Sequence, residues 1–333
     1  MPTYKYEKSI SLFKRAQRVI PNGIPGHFNP LNHKPTGTYP FYCNHAKGAK
    51  FFDVDGNEYI DYMCAYGPMI LGYGHSKVED AFIKQHKKSD TCTLVSPVMV
   101  ELAEFLVDMI PFADWAYFAK NGADATNMAT LIARTATGKR KIIAIEDGYH
   151  GSSPWMQHIT RTGISPQDHS EVLRVPWNDI EALENTLNEN NDKVAAFISS
   201  PYHHPAFKDS EMPAADYWTQ VHDLLRKHSV ISICDDVRTG FRIDARGSHE
   251  FFGYTPDISC YCKAIANGHP LSAIVGRDTF KQAAQSIFQT GSFWFAAGPM
   301  AAALTTLKEI KELDVPTQIF KTGEKLFNRL ITV

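Results

Sequence analysis

Lys263 stands in the run Ser259-Cys260-Tyr261-Cys262-Lys263-Ala264-Ile265-Ala266-Asn267-Gly268-His269-Pro270, directly after a strand-like apolar stretch. Lysine is rarely set among apolar and small residues unless it is paired or reactive. Desolvation lowers the pKa of its amine, and a neutral amine condenses with a carbonyl to form a Schiff base. Asp235-Asp236 close another apolar run, Val230–Cys234, 28 positions upstream (235 to 263). A carboxylate at a strand end can hold a pyridine nitrogen protonated, which makes the ring an electron sink for a neighbouring carbanion. A solitary Asp there is more often a helix cap or a turn acid. Beside a strand-end lysine the balance reverses. The pair reads as the catalytic core of a pyridoxal 5'-phosphate site, with Lys263 as nucleophile and proton carrier and Asp235 as partner of the ring nitrogen.

Such a cofactor needs a phosphate cradle and a ring platform. Lys120-Asn121-Gly122-Ala123-Asp124 lies between a strand-like and a helix-like segment. Gly122 permits close backbone approach, and amides opening a helix at Ala123 face an anion. Asn-Gly is also a common turn, so the motif is weak by itself. Tyr149 and His150, in Gly148-Tyr149-His150-Gly151, offer an aromatic face and a polar neighbour at another strand end. The chain has no G-x-x-x-x-G-K-[ST] loop and no G-x-G-x-x-G after its first strand, which speaks against nucleotide triphosphate and nicotinamide sites.

The elements that must position these groups are legible as a period change near residue 76. Helical stretches near 76–89, 98–110, 123–137, 178–190 and 213–228 alternate with apolar runs at 115–118, 142–145, 194–198, 230–234, 258–261 and 271–275. This alternation predicts an α/β domain, a mostly parallel sheet flanked by helices, with its site beyond the carboxyl ends of the strands. Lys120, Asp147, Asp235 and Lys263 all follow predicted strands and are expected to converge there. Residues 1–75 form a separate N-terminal segment. It has a helix over 7–19 (Ile10, Phe13, Ala16 and Val19 on one face), a proline-rich loop and a hairpin over 50–61 around Asp55-Gly56.

With 333 residues, 44% apolar and 21% charged, the composition is ordinary for a globular protein. A net charge of −2 gives no electrostatic reason to expect nucleic acid or an anionic membrane as partner. No apolar run approaches 18 residues, and the first residues lack a secretory pattern. The six cysteines (43, 64, 92, 234, 260, 262) are scattered, so they read as buried small residues in a cytoplasmic protein rather than a metal site.

Four stretches together resemble the class III aminotransferases, pyridoxal-phosphate enzymes of fold type I, and within them the glutamate-1-semialdehyde 2,1-aminomutase-like members. They are 46–62 continuing to 67–72; Tyr149-His150-Gly151; Asp235-Asp236-Val237-Arg238-Thr239-Gly240-Phe241-Arg242; and Thr255-Pro256-Asp257-Ile258 through Lys263 to Ala273. The resemblance implies the roles given above for Lys263 and Asp235. It also implies Val237 and Tyr149 on opposite ring faces, with backbone amides of Gly122 and Ala123 at the phosphate. Thr290 or Ser292 would reach the phosphate of a partner subunit, hence a homodimer with shared sites. A small C-terminal domain would follow, leaving 76–312 as the cofactor-binding domain, 313–333 as a helix leading onward, and exposed apolar surface there.

The departures bear on substrate. Ala123 stands where the family has a phosphate-binding threonine, and Ser200-Pro201-Tyr202-His203-His204 where it has Glu-Pro. The aminomutase's Ser-Pro-Val-Arg segment is replaced by Pro25-Gly26-His27-Phe28, and its arginine would have held a substrate carboxylate. Tyr66 and His27 become candidate substrate contacts, as do His203 and His204, although these two histidines read more readily as an exposed loop. The expected activity is transamination between a small-molecule amino donor, an amino acid or an ω- or β-amino compound, and a carbonyl acceptor. An aminomutase, racemase or lyase on the same cofactor is one alternative, and a non-catalytic cofactor-binding protein another.

Overall fold

The computed structural model describes residues 4–24, 39–205 and 208–332. His27 and the Pro25–Phe28 segment fall outside the described residues. The chain divides into two compact units, Met1–Ser76 and Lys77–Val333.

The first unit pairs a helix, α1 (Glu7–Ala16), with a three-stranded antiparallel sheet of β1 (Cys43–Lys47), β2 (Lys50–Asp53) and β3 (Glu58–Ile60). The Asp55-Gly56 hairpin is present, with β1 added on its other side. Asp53 is buried and accepts from the Asp55 and Asn57 amides and the Tyr59 hydroxyl, which fixes the turn. Asp55 in turn accepts from the Lys8 and Ser9 amides at 2.7 and 2.9 Å, capping α1. The helix stops at Ala16 rather than Val19, and Val19 is 80% exposed. The chain turns there, toward Asn22 and Gly23, which both take left-handed φ.

The second unit holds a seven-stranded sheet. Its strands are β4 (Trp115–Ala119), β5 (Lys141–Ile145), β6 (Val172–Val175), β7 (Val194–Ser199), β8 (Ile231–Asp235), β9 (Ile258–Tyr261) and β10 (Ser272–Gly276), in spatial order β4-β10-β9-β8-β7-β5-β6. The strands β9, β8, β7, β5 and β6 are mutually parallel, and β10 runs antiparallel to both β9 and β4. Residues 262–271 are too short a link for a parallel crossover, so the chain returns antiparallel. The carboxyl ends of the other six strands therefore share one edge with the start of β10.

Both faces of the sheet are buried, as its near-continuous apolar strands require. Ile142, Ala144, Ala196, Ile198, Ile233 and Ile274 pack with Met128, Ala129 and Ile132 of α4 (Gly122–Thr137). On the other face Ile143, Ile145 and Phe197 meet Leu183 and Leu187 of α5 (Ile180–Glu189), and Trp218 and Val221 of α6 (Tyr217–Lys227). The remaining helices are α2 (Ser76–Lys88), α3 (Val98–Met109), α7 (Ser248–Phe252), α8 (Lys281–Ser286), α9 (Ala297–Glu312) and α10 (Val315–Leu330). On α10 only Val315 and Pro316 are buried, while Phe320, Phe327 and Leu330 are exposed. No helix among the described residues is long and apolar enough to cross a membrane. Of the cysteines, Cys234 and Cys260 are buried as expected, whereas Cys43, Cys64 and Cys92 are exposed.

Candidate active site

The shared edge collects the loops that carry most of the candidate residues. Asp235 is the last residue of β8, and its side chain is buried. One carboxylate oxygen, Oδ2, lies 2.6 Å from His150 Nδ1; the other, Oδ1, accepts from the Val237 amide at 3.1 Å. Both ring and carboxylate are removed from water, so this contact is strong and its geometry fixed. His150 is held from behind, because the Thr126 hydroxyl of α4 donates to its carbonyl at 2.7 Å.

Asp236 does different work. It is buried, accepts from the Thr239 hydroxyl and from the Ser248 amide at 2.8 Å, and so closes the loop that joins β8 to α7. Burial pushes its pKa up. Gly240 completes that loop, since a Cβ there would lie 2.7 Å from both the Asp236 carbonyl oxygen and the Tyr261 ring.

Lys263 opens a 3₁₀ turn (Lys263–Ala266) immediately after β9, with a left-handed φ of 47°. A non-glycine residue in this region stores about 1–2 kcal/mol, a strain that persists only where the surroundings hold it. Desolvation pulls the amine pKa down, the Arg238 guanidinium adds to this, and Asp235 opposes it. A lysine lowered by burial is poised toward the neutral, nucleophilic form.

Gly122 and Ala123 are the first two residues of α4, in the turn whose amides have no intrahelical acceptor. Asn121 and Asp124 form a capping box at this end. Two close approaches define the local shape. A Cβ on Gly122 would meet Val237 Cγ1 at 2.8 Å, and one on Gly151 would meet the Ala123 methyl at 2.7 Å. Gly122, Ala123, His150, Gly151, Asp235 and Val237 are thus brought together by direct contacts. Tyr149, next to His150, is 62% exposed, leaving its ring face open.

Other candidates are placed differently. Asp147 does not join the group; it is exposed and paired with Lys208 at 3.0 Å. The Lys120 amine donates to the Pro270 carbonyl at 3.0 Å. Thr290 and Ser292 are exposed in the loop after α8, and among the described residues no hydrogen bond joins either to the other candidates. Tyr66 belongs to the first unit, in a run where Cys64, Ala65 and Tyr66 all have positive φ. The reading of His203 and His204 as an exposed loop is corrected. His204 is buried, its Nδ1 3.1 Å from an Arg238 guanidinium nitrogen, and His203 pairs with Glu211 through a backbone bridge and stacks on Trp177. Burial, with Arg238 beside it, lowers the His204 pKa to about 4. Both this pair and the His150–Asp235 contact escaped the sequence reading, because each joins loops distant in sequence. No group of three or more His, Cys, Asp or Glu side chains among the described residues could hold a metal ion.

Val237, the start of α4, the buried Asp235 carboxylate and the desolvated Lys263 all lie at one edge of the sheet, where an open α/β sheet binds its ligands. The Aminotransferase class-III family matches residues 32–333, and the chain belongs to that family of pyridoxal-phosphate-dependent enzymes. It is 40% identical over 315 residues to an aminopentol aminotransferase of Sphingopyxis macrogoltabida, covering 95% of this chain and 74% of that protein. It is 37% identical to a 3-aminobutyryl-CoA aminotransferase of Cloacimonas acidaminovorans, covering 93% and 74%. To a glutamate-1-semialdehyde 2,1-aminomutase of Desulforamulus reducens it is 32% identical, covering 98% and 78%. Among solved structures, the pyridoxal-phosphate form of the FumI protein of Sphingopyxis sp. MTA144 superposes with a TM-score of 0.89 at 40% identity, over 92% of this chain and 73% of that one.

Proposed function

We propose that this chain transfers an amino group from a small primary amine to a carbonyl acceptor, with Lys263 as the covalent anchor and proton carrier and Asp235 as the partner of the cofactor's ring nitrogen. The observation that carries the reading is the pairing of a desolvated, strained lysine with a buried carboxylate on the same sheet edge. When bound, pyridoxal phosphate supplies an electrophilic carbonyl and a ring that accepts electron density from the substrate carbon.

The chain's own residues do the rest. Asp235, oriented by His150 and the Val237 amide, would hold the proton of the cofactor's ring nitrogen through its carboxyl oxygens. Val237, which packs against Gly122, would support one ring face, and the exposed Tyr149 would cover the other. The first amides of α4, at Gly122 and Ala123, would bind the phosphate, and Thr290 or Ser292 of a second copy would complete that site in a homodimer. As a free amine, Lys263 would take a proton from the substrate carbon and carry it to the site of reprotonation.

The substrate is an amine in which the reacting carbon need not carry a carboxylate. Two relatives at 40% and 37% identity are named for an aminopentol and a 3-aminobutyryl-CoA, and their identity exceeds that to the aminomutase at 32%. Tyr66 and His27 are the candidate substrate contacts. Six free cysteines, three exposed, suit a reducing, cytoplasmic setting. The test is a single-turnover screen of ω- and β-amino compounds, read by loss of the visible cofactor band together with release of a carbonyl product. Amines that exchange stereochemistry, rearrange or eliminate without leaving the aminated cofactor would overturn transamination in favour of racemase, aminomutase or lyase chemistry.

A further inference from the structure

Between the ends of β5 and β7 lies a small cavity lined by Ile145, Gly148, His150, Ser199, Tyr202 and His204. It offers about 10 Å³ to the centre of a water-sized sphere, room for about one water molecule. Two nitrogens of its lining are buried without a hydrogen-bond partner among the described residues: His150 Nε2 and His204 Nε2. His150 is 3% exposed and His204 9%. A buried polar atom left unsatisfied carries the full cost of its desolvation.

The tautomers follow from the outer contacts. A guanidinium only donates, so Arg238 requires an unprotonated Nδ1 on His204, which leaves the proton of the neutral ring on Nε2. Burial beside that cation favours the neutral ring. At the other end, Asp235 Oδ2, 2.6 Å away, accepts from His150 Nδ1–H, which leaves a lone pair on His150 Nε2. One ring thus presents a donor and the other an acceptor at the same one-water cavity.

We infer that a single buried water accepts from His204 Nε2–H and donates to His150 Nε2, making His204 a positioning residue in a one-way hydrogen-bond chain from Arg238 to Asp235. This rests on the reading of Asp235 and Lys263 as the cofactor pair. Every bond in the chain points its proton from the cation toward the carboxylate, so each polarises the next. The chain holds the Arg238 guanidinium near Lys263 and fixes the ring that orients Asp235.

The test is ring-nitrogen NMR on histidine-labelled protein, with and without pyridoxal phosphate. His150 and His204 are assigned by the signals lost in H150Q and H204Q. The expected result is a neutral Nε2–H tautomer for His204 and a protonated Nδ1 with free Nε2 for His150. A crystal structure of the protein should show one water about 2.7–3.2 Å from both Nε2 atoms. A charged His204, a His204 carrying its proton on Nδ1, or no such water would overturn the chain. A functional arm uses cofactor-free protein, in which the apparent pKa of Lys263 is read from the pH dependence of its labelling by an amine reagent. His204→Leu should raise it by freeing Arg238, and His204→Asn, whose oxygen can replace Nδ1, should restore part of the shift; equal values in both variants and the parent would count against the chain. Borohydride labelling of Lys263 separates the two readings. Label on Lys263 with the wrong tautomers sinks the chain alone, and correct tautomers without label sink the cofactor reading.

Discussion

Gly122 is a sensitive probe of the proposed cofactor seat. It does not use a left-handed φ, so Gly122→Ala imposes no backbone strain, and alanine in a helix is favoured over glycine by about 0.5–1 kcal/mol. The added Cβ would sit 2.8 Å from Val237 Cγ1 and 3.2 Å from Cγ2. Ordinary carbon contacts lie at about 3.5–4.0 Å, so the valine must withdraw by roughly 0.7 Å. Overpacking of this kind costs about 1–3 kcal/mol, of which the helix gain offsets only a part. The loss falls on binding. A gap of about 0.5–1 Å forfeits a quarter to a half of each dispersion contact, so a ring resting on Val237 is weakened by about 1–2 kcal/mol, or about 5- to 30-fold in Kd. Pyridoxal-phosphate titration followed by its visible band gives the affinity, and thermal melting of cofactor-free protein gives the stability. Gly122→Ala should melt somewhat lower and bind pyridoxal phosphate more weakly at temperatures where the protein remains folded. Adding Val237→Ala should relieve the strain without restoring affinity. Wild-type affinity in Gly122→Ala would refute the assignment of Val237 as a ring shelf.

Three further outcomes are expected. Asp235→Ala leaves His150 Nδ1 buried without its acceptor and should destabilise the protein by about 1–3 kcal/mol in denaturant unfolding, besides abolishing turnover; an unaltered midpoint would contradict the buried contact. His222 and His249 are lowered from an ordinary 6.5 to about 4, chiefly by burial, so the unfolded chain takes up protons first. Their stabilising contribution is complete above pH 6.5 and is lost as pH falls toward 4, on the order of 3 kcal/mol each at most, and a melting temperature flat from pH 7 to 4.5 would contradict it. Asp55→Ala removes both acceptors at the start of α1 and should cost about 1 kcal/mol, with amide exchange at Lys8 and Ser9 accelerated.

Much of the large unit was legible because its strands are short apolar runs bounded by helical periodicity, and buried strands leave that signature. Lys263 and Asp235 were legible for the same reason, since each sits where such a run ends. β6 escaped because Arg174 interrupts its apolar run at the sheet edge, and β1 because Cys43–Lys47 is polar and exposed. The reversed direction of β10 was present in the ten-residue link before it, but apolar content carries no polarity. His204 was misread because a Tyr-His-His run looks solvated, and only the fold reveals that Arg238, in another loop, takes one ring nitrogen. Asp147 was grouped with the site by its strand-end position; Lys208, 61 positions away, claims it instead.

The central claim is that Lys263 bonds covalently to pyridoxal phosphate. Borohydride reduction of the cofactor-loaded protein, followed by peptide mapping, tests it most directly. The account predicts one stable phosphopyridoxyl adduct, on Lys263 and absent from Lys263→Ala. An adduct on Lys120 or another lysine, or loaded protein in which Lys263 stays unmodified, would contradict it.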